Sequence, residues 1–271
     1  MIRPVAIGVA LALGLVIVLS STLKTAPLWQ VWAALSLALT AASGTVFAYG
    51  LERWRELTAL RAVRVRELIR PVGALFLVAL LLGVLNVILS ASASAPASGR
   101  GWALSVIAVA GALPAVATML GIRRATRLPE PGPGRRVAVL IALRRLLQRL
   151  LAAVGTLVAL ATLALGSTPV PLPSRTVVLI FGGVGSLLVA LAYSPARAAL
   201  QEAATRLCDD LLPLADVDDA ATVLTRAEDR AKLEQLLGAD RNLLAELQTG
   251  LAILGPLLSS AAAAFLPSSA G

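Results

Sequence analysis

LERWRELTALRAVRVRELIR, residues 51–70, sets six arginines and three glutamates between two long apolar runs. Whether it is a soluble surface or a boundary between membrane spans decides the fold. The chain around it has 271 residues, 58% of them hydrophobic and 14% charged, with a mean hydropathy of +0.85. A soluble domain carries about 25% charged residues, so there is too little polar surface here to coat a water-soluble fold. The flanks therefore read as membrane spans, and 51–70 as a loop that orients them.

Crossing about 30 Å of hydrocarbon takes roughly 20 helical residues. Apolar stretches of that length recur at 4–23, 27–50, 71–91, 102–122, from about 146 or 150 to 166, and at 176–193. The first could be a signal peptide behind Arg3, but its small-residue site at Lys24-Thr25-Ala26 precedes Pro27, which disfavours cleavage and favours a retained helix. The uncharged stretch 251–266 reads as a seventh span broken at Pro256, with a re-entrant or interfacial helix as the alternative. The expected fold class is all-α: a polytopic membrane helical bundle of six or seven transmembrane helices with a cytoplasmic helical tail. Three parts follow: spans over 1–193, an acidic tail over 194–250 and an apolar segment over 251–271.

The arginines orient the spans. Residues 51–70 hold six, 123–149 hold eight, and the tail holds five plus Lys232. With Arg3, these 21 of 24 basic residues fall on one side, against Lys24, Arg100 and Arg175 on the other. The positive-inside rule places the N-terminus, both basic loops and the tail in the cytoplasm. The usage of 22 Arg against 2 Lys fits a GC-rich bacterium, and the expected address is its plasma (inner) membrane. Because the arginines flank apolar spans, the basic balance points to topology and excludes nucleic acid as the partner.

In 51–70, Trp54, Leu57, Val65 and Leu68 share one helical face, and most of the charges take the other. The segment reads as a helix continuing the second span and turning back at Pro71. Its Arg53, Arg55, Arg61, Arg64, Arg66 and Arg70 are candidate contacts for anionic lipid headgroups or for a protein partner. Arg144, Arg145 and Arg149 form a second such group. At mid-bilayer each would cost about 2.5–3.5 kcal/mol, so they belong at headgroup level, with 137–143 along the interface. A weak echo relates Trp32-Ala-Ala-Leu-Ser to Trp102-Ala-Leu-Ser, about 70 residues apart; low-complexity membrane composition produces such echoes easily, and a duplicated hairpin is the alternative.

Gly182, Gly183 and Gly185 permit close helix approach, by packing within the chain or in a homo-oligomer contact. Pro114 would kink the fourth span, and Asn86 is a strongly polar residue deep in the third. In the tail, Asp218 or Asp219 can cap a helix from about Ala220 to Leu237, ended by Gly238. The cluster Asp209, Asp210, Asp216, Asp218 and Asp219 fails as a calcium loop, because Ala221 and Ala227 stand where the central glycine and final glutamate belong.

There is no histidine, and Cys208 is the one cysteine. Imidazole-dependent catalysis, imidazole metal sites and an internal disulfide framework are therefore excluded within the chain. The expected spans carry no acidic residue, and no Gly-rich phosphate loop occurs. The chain reads as non-enzymatic, with no cofactor and no metal. A sensor-like or partner-binding module comes first, and a transporter or channel subunit is the alternative.

Two stretches of the tail carry a family resemblance. Tyr193-Ser-Pro195-Ala-Arg197-Ala-Ala-Leu200-Gln201, with Arg206-Leu207, Asp209, Leu211-Leu212 and later Val223-Leu224-x-Arg226, resembles the juxtamembrane segment of polytopic actinobacterial sensor histidine kinases. No kinase core follows, so the resemblance implies a sensor-like membrane module without kinase activity. Residues 237–255, with Gly238, Asp240-Arg241, Leu244-Ala245, Thr249 and Leu251-Ala252, resemble the membrane entry of the small YidH family. That pattern is shared with the membrane domain of polyphosphate-polymerising vacuolar transporter chaperones. Here Glu246 and Gln248 replace the family's usual Trp and second Arg, so the resemblance implies membrane entry near Thr249 and no more.

Overall fold

The computed structural model describes residues 2–21, 29–60, 99–127, 132–168, 175–213 and 219–237, with isolated helical positions in 66–77 and 250–258. The six described helices are α1 (Ile2–Leu19), α2 (Trp29–Leu60), α3 (Gly99–Ala125), α4 (Pro133–Gly166), α5 (Arg175–Leu211) and α6 (Ala220–Leu237). Among the described residues the fold is all-α, as the composition and periodicity require.

The expected count of six or seven spans is corrected. Among the described residues, four helices are long and apolar enough to cross a membrane: Trp29–Ala59, Ala103–Ala125, Pro133–Gly166 and Val178–Leu211. The first expected span makes a shorter apolar helix, Arg3–Leu19, which at 1.5 Å per residue reaches about 25 Å. It stops because Ser20 and Ser21 close the last turn, the Ser20 hydroxyl donating to the Ile17 carbonyl at 2.9 Å. Of the other expected spans, 71–91 and 251–266 lie largely outside the described residues, and Asn86 with them.

Local chemistry sets the ends of the long helices. Pro133 sits in the first turn of α4, where its missing N–H costs nothing. Gly132 before it has φ +89°, a conformation that favours glycine. At the other end, Thr168 donates to the Leu165 carbonyl at 2.8 Å and Ser167 to the Ala164 carbonyl at 3.1 Å, supplying partners that the last turn lacks. α4 is one helix of 34 residues, so 137–143 is part of it and not a separate interfacial segment. α5 runs 37 residues through Pro195 and carries the chain past Tyr193 without a break. These two helices are about 50 and 55 Å long, some 20 Å more than hydrocarbon requires.

Small residues set the packing around α2. α1 lies antiparallel to it, Gly14 against Thr40 and Gly44 against Ala6 and Ala10. α3 lies parallel to it, Gly111 against Ser43 and Gly50 against Pro114 and Ala115. A Cβ on Gly50 would stand 2.5 Å from the Ala115 nitrogen, so the backbones meet with no side chain between them. Thr118 donates to the Pro114 carbonyl at 2.7 Å and approaches the Gly50 carbonyl at 3.3 Å. In hydrocarbon, where aliphatic side chains gain little by leaving lipid, such close approach is what holds helices together. α4 and α5 complete the core with Leu143, Leu147, Leu150, Leu157, Val189 and Ala196.

Candidate functional site: the arginine-bearing end of the bundle

The helix directions gather the basic residues at one end. Arg3 opens α1 beside Glu52 in α2, and the two side chains form an ion pair. Arg53 lies one residue on, half-buried over the Tyr49 ring at 4.8 Å from its centroid and paired with Glu56. Arg123 and Arg124 end α3, which runs parallel to α2. Arg144, Arg145 and Arg149 lie on α4, which runs the other way. The opposite end is marked by Trp32, Gly101, Leu104, Ser105, Leu165 and Thr168, which line a cleft of about 10 Å³, room for about one water. Twenty-odd residues along α2 and α3 separate that cleft from the arginines, about 30 Å of helix. The apolar band between the two levels thus matches the hydrocarbon thickness.

The chain is a multi-pass membrane protein. Compared with known family models, curated proteins and solved structures, it has no match.

Beyond the arginine level, α6 docks on the projecting ends of α4 and α5. Leu233 and Leu237 pack with Ala204, Leu207 and Cys208 of α5 and with Val137, Leu140 and Ile141 of α4. Arg230 bridges the contact, 2.8 Å from Glu234 in its own helix and 2.7 Å from Asp209 in α5. Donation to those two carboxylates raises the Arg230 pKa above its ordinary value. Arg226 donates to the Pro213 carbonyl at 3.1 Å, and Arg136 of α4 stands 3.4 Å from Asp210. Asp219 caps α6, accepting from the Thr222 amide at 3.0 Å and from its hydroxyl at 2.7 Å. The acidic cluster is thereby divided: Asp209 and Asp210 pair with arginines, Asp219 caps a helix, and Asp216 and Asp218 lie outside the described residues. Cys208 is fully buried beneath this contact.

The remaining candidates separate. Arg55, Arg66 and Arg70 are exposed, and Arg61 and Arg64 lie outside the described residues. Arg145 and Arg149 are exposed and Arg144 half-buried. Gly182 and Gly185 are buried in α5 and Gly183 is half-buried, while Pro114 sits at the close crossing with Gly50. The glycines at the closest crossings, 14, 44, 50 and 111, were absent from the sequence-derived candidates. So were Arg3, Glu52, Asp209 and Arg230 as pairing residues. Each depends on which helix lies opposite, and periodicity along one helix does not carry that information.

Proposed function

We propose that this protein is a non-enzymatic, sensor-like membrane module that binds a cytoplasmic partner through its basic end and the helix docked on it. The observation that carries the reading is the platform at that end. α4 and α5 project about 20 Å past the hydrocarbon width and hold α6 by a set of apolar and ionic contacts. The positive-inside rule favours the cytoplasm for this side, with the arginines at anionic headgroups of a bacterial inner membrane. The docked face of α6 is occupied by Leu233, Leu237 and Arg230, while Leu224 and Leu236 are 68% and 65% exposed. The tail's resemblance to a sensor-kinase juxtamembrane segment supports the same reading. The close glycine contacts of α2 with α1 and α3 favour solid packing of these three helices over a solute path between them.

The test is photo-crosslinking in intact cells from residues placed at Leu224 and Leu236, with Val9 and Leu15 of α1 as lipid-facing controls. The expected result is a discrete protein adduct from the α6 positions alone. Lipid-sized adducts, or none, from all four positions would overturn the proposal and direct attention to reconstituted flux.

A further inference from the structure

The arginines at the basic end are not equivalent. On α2, Arg53 and Arg55 alternate with Glu52 and Glu56, so that turn carries no net charge. Glu56 is engaged by Arg53, and Glu52 by Arg3. On α4, no acidic residue occurs between Glu130 and Glu202 along the chain. Among the described residues, Arg144, Arg145 and Arg149 have no ion-pair partner, and both acids at the matching level of α2 are already taken. A guanidinium at the edge of hydrocarbon with no carboxylate beside it is a standing site for another anion.

Depth and shape indicate which anion. Counted back from the helix end at Gly166, Arg149 stands about 26 Å away and Arg145 about 32 Å, bracketing the hydrocarbon thickness. Gln148, exposed beside them, adds an amide donor. On the same face, Ala152 and Thr156 follow one and two turns toward the apolar end, also exposed. The Thr156 hydroxyl is satisfied within the helix, donating to the Ala152 carbonyl at 2.8 Å. Ala152 and Thr156 thus form a lane of two small, exposed side chains leading from the arginines along the outside of α4. The occupant that fits is amphipathic, with a phosphate at the arginines and an acyl chain in the lane.

We infer that the outward face of α4 is a binding site for an anionic phospholipid, with Arg145 and Arg149 holding the phosphate and Arg144 adding charge beside them. The inference rests on the proposed seating of the basic end at the headgroups, and it assigns lipid recognition to α4 and not to the charge-balanced turn of α2.

The test titrates the purified full-length protein in neutral detergent with fluorescent phosphatidylglycerol, and with fluorescent phosphatidylcholine for comparison. The expected Kd for phosphatidylglycerol rises about 30-fold in R145Q/R149Q and less than about threefold in R53Q/R55Q. Arg145 and Arg149 are exposed, so R145Q/R149Q should elute and melt as the parent does; E52Q, which leaves α4 untouched, controls for a change of charge elsewhere. Equal weakening in both double variants would overturn the α4 site while leaving the seating of the basic end intact. Equal binding of phosphatidylcholine by the parent protein would overturn both. Displacement of the probe by inorganic phosphate alone would overturn the lipid as occupant, because the lane would then contribute nothing.

Discussion

The α1–α2–α3 seam and the α5–α6 contact hold helices together by opposite means. At the seam, Gly44, Gly50 and Gly111 bring backbones close together, and Gly14 leaves room for the Thr40 side chain. At the α6 contact, Arg230, Asp209 and Glu234 lie outside the apolar band, beside a small apolar patch. Removing side chains makes the first contact and placing charges makes the second. The first therefore tolerates no added atom, and the second should open without unfolding the bundle.

Gly50→Leu should break the seam outright. Even the Cβ would stand 2.5 Å from the Ala115 nitrogen and 2.8 Å from the Pro114 carbonyl carbon, so the cost is about 3 kcal/mol or more. Thermal melting in detergent should show loss of the folded monomer; a parental melt would mean that α2 and α3 do not meet there. Arg230→Glu should act on α6 alone. It places a third acid between Asp209 and Glu234, and maleimide labelling of Cys208 should accelerate about tenfold with the melting midpoint unchanged. Unchanged labelling would show that the apolar patch holds α6 without its arginine. The smallest effect is expected at Thr118→Val, which removes the hydroxyl at the Gly50 carbonyl and keeps the shape. A loss of about 0.6 kcal/mol is the usual size for such a bond in a membrane protein. A loss several times larger would make that hydrogen bond, and not close packing, the main tie of the seam.

Lengthwise features were legible in the sequence. α6 begins where the Asp219 cap places it, because capping is settled within four residues of the helix end; Gly238 lies outside the described residues. The start of α4 follows from Gly132 and Pro133 in the same way, with Gly132 in the left-handed region. The gathering of the basic segments at one end followed from their spacing against spans of fixed length. Span count was less legible, since an apolar stretch of twenty residues does not fix where its helix begins or ends. Ser20 and Ser21 end α1 a turn early, through hydroxyl and amide bonds that hydropathy does not weigh.

The sequence by itself determined that this chain lives in a membrane as helices and that its arginines collect at one end, because composition and local periodicity are properties of one strand of residues. Tertiary structure alone decided which glycines touch, which arginines are neutralised and which face of α4 is left charged. Those depend on the rotation and register of one helix against another, set by contacts between residues far apart in the chain: Gly50 with Pro114, Arg3 with Glu52, Asp209 with Arg230.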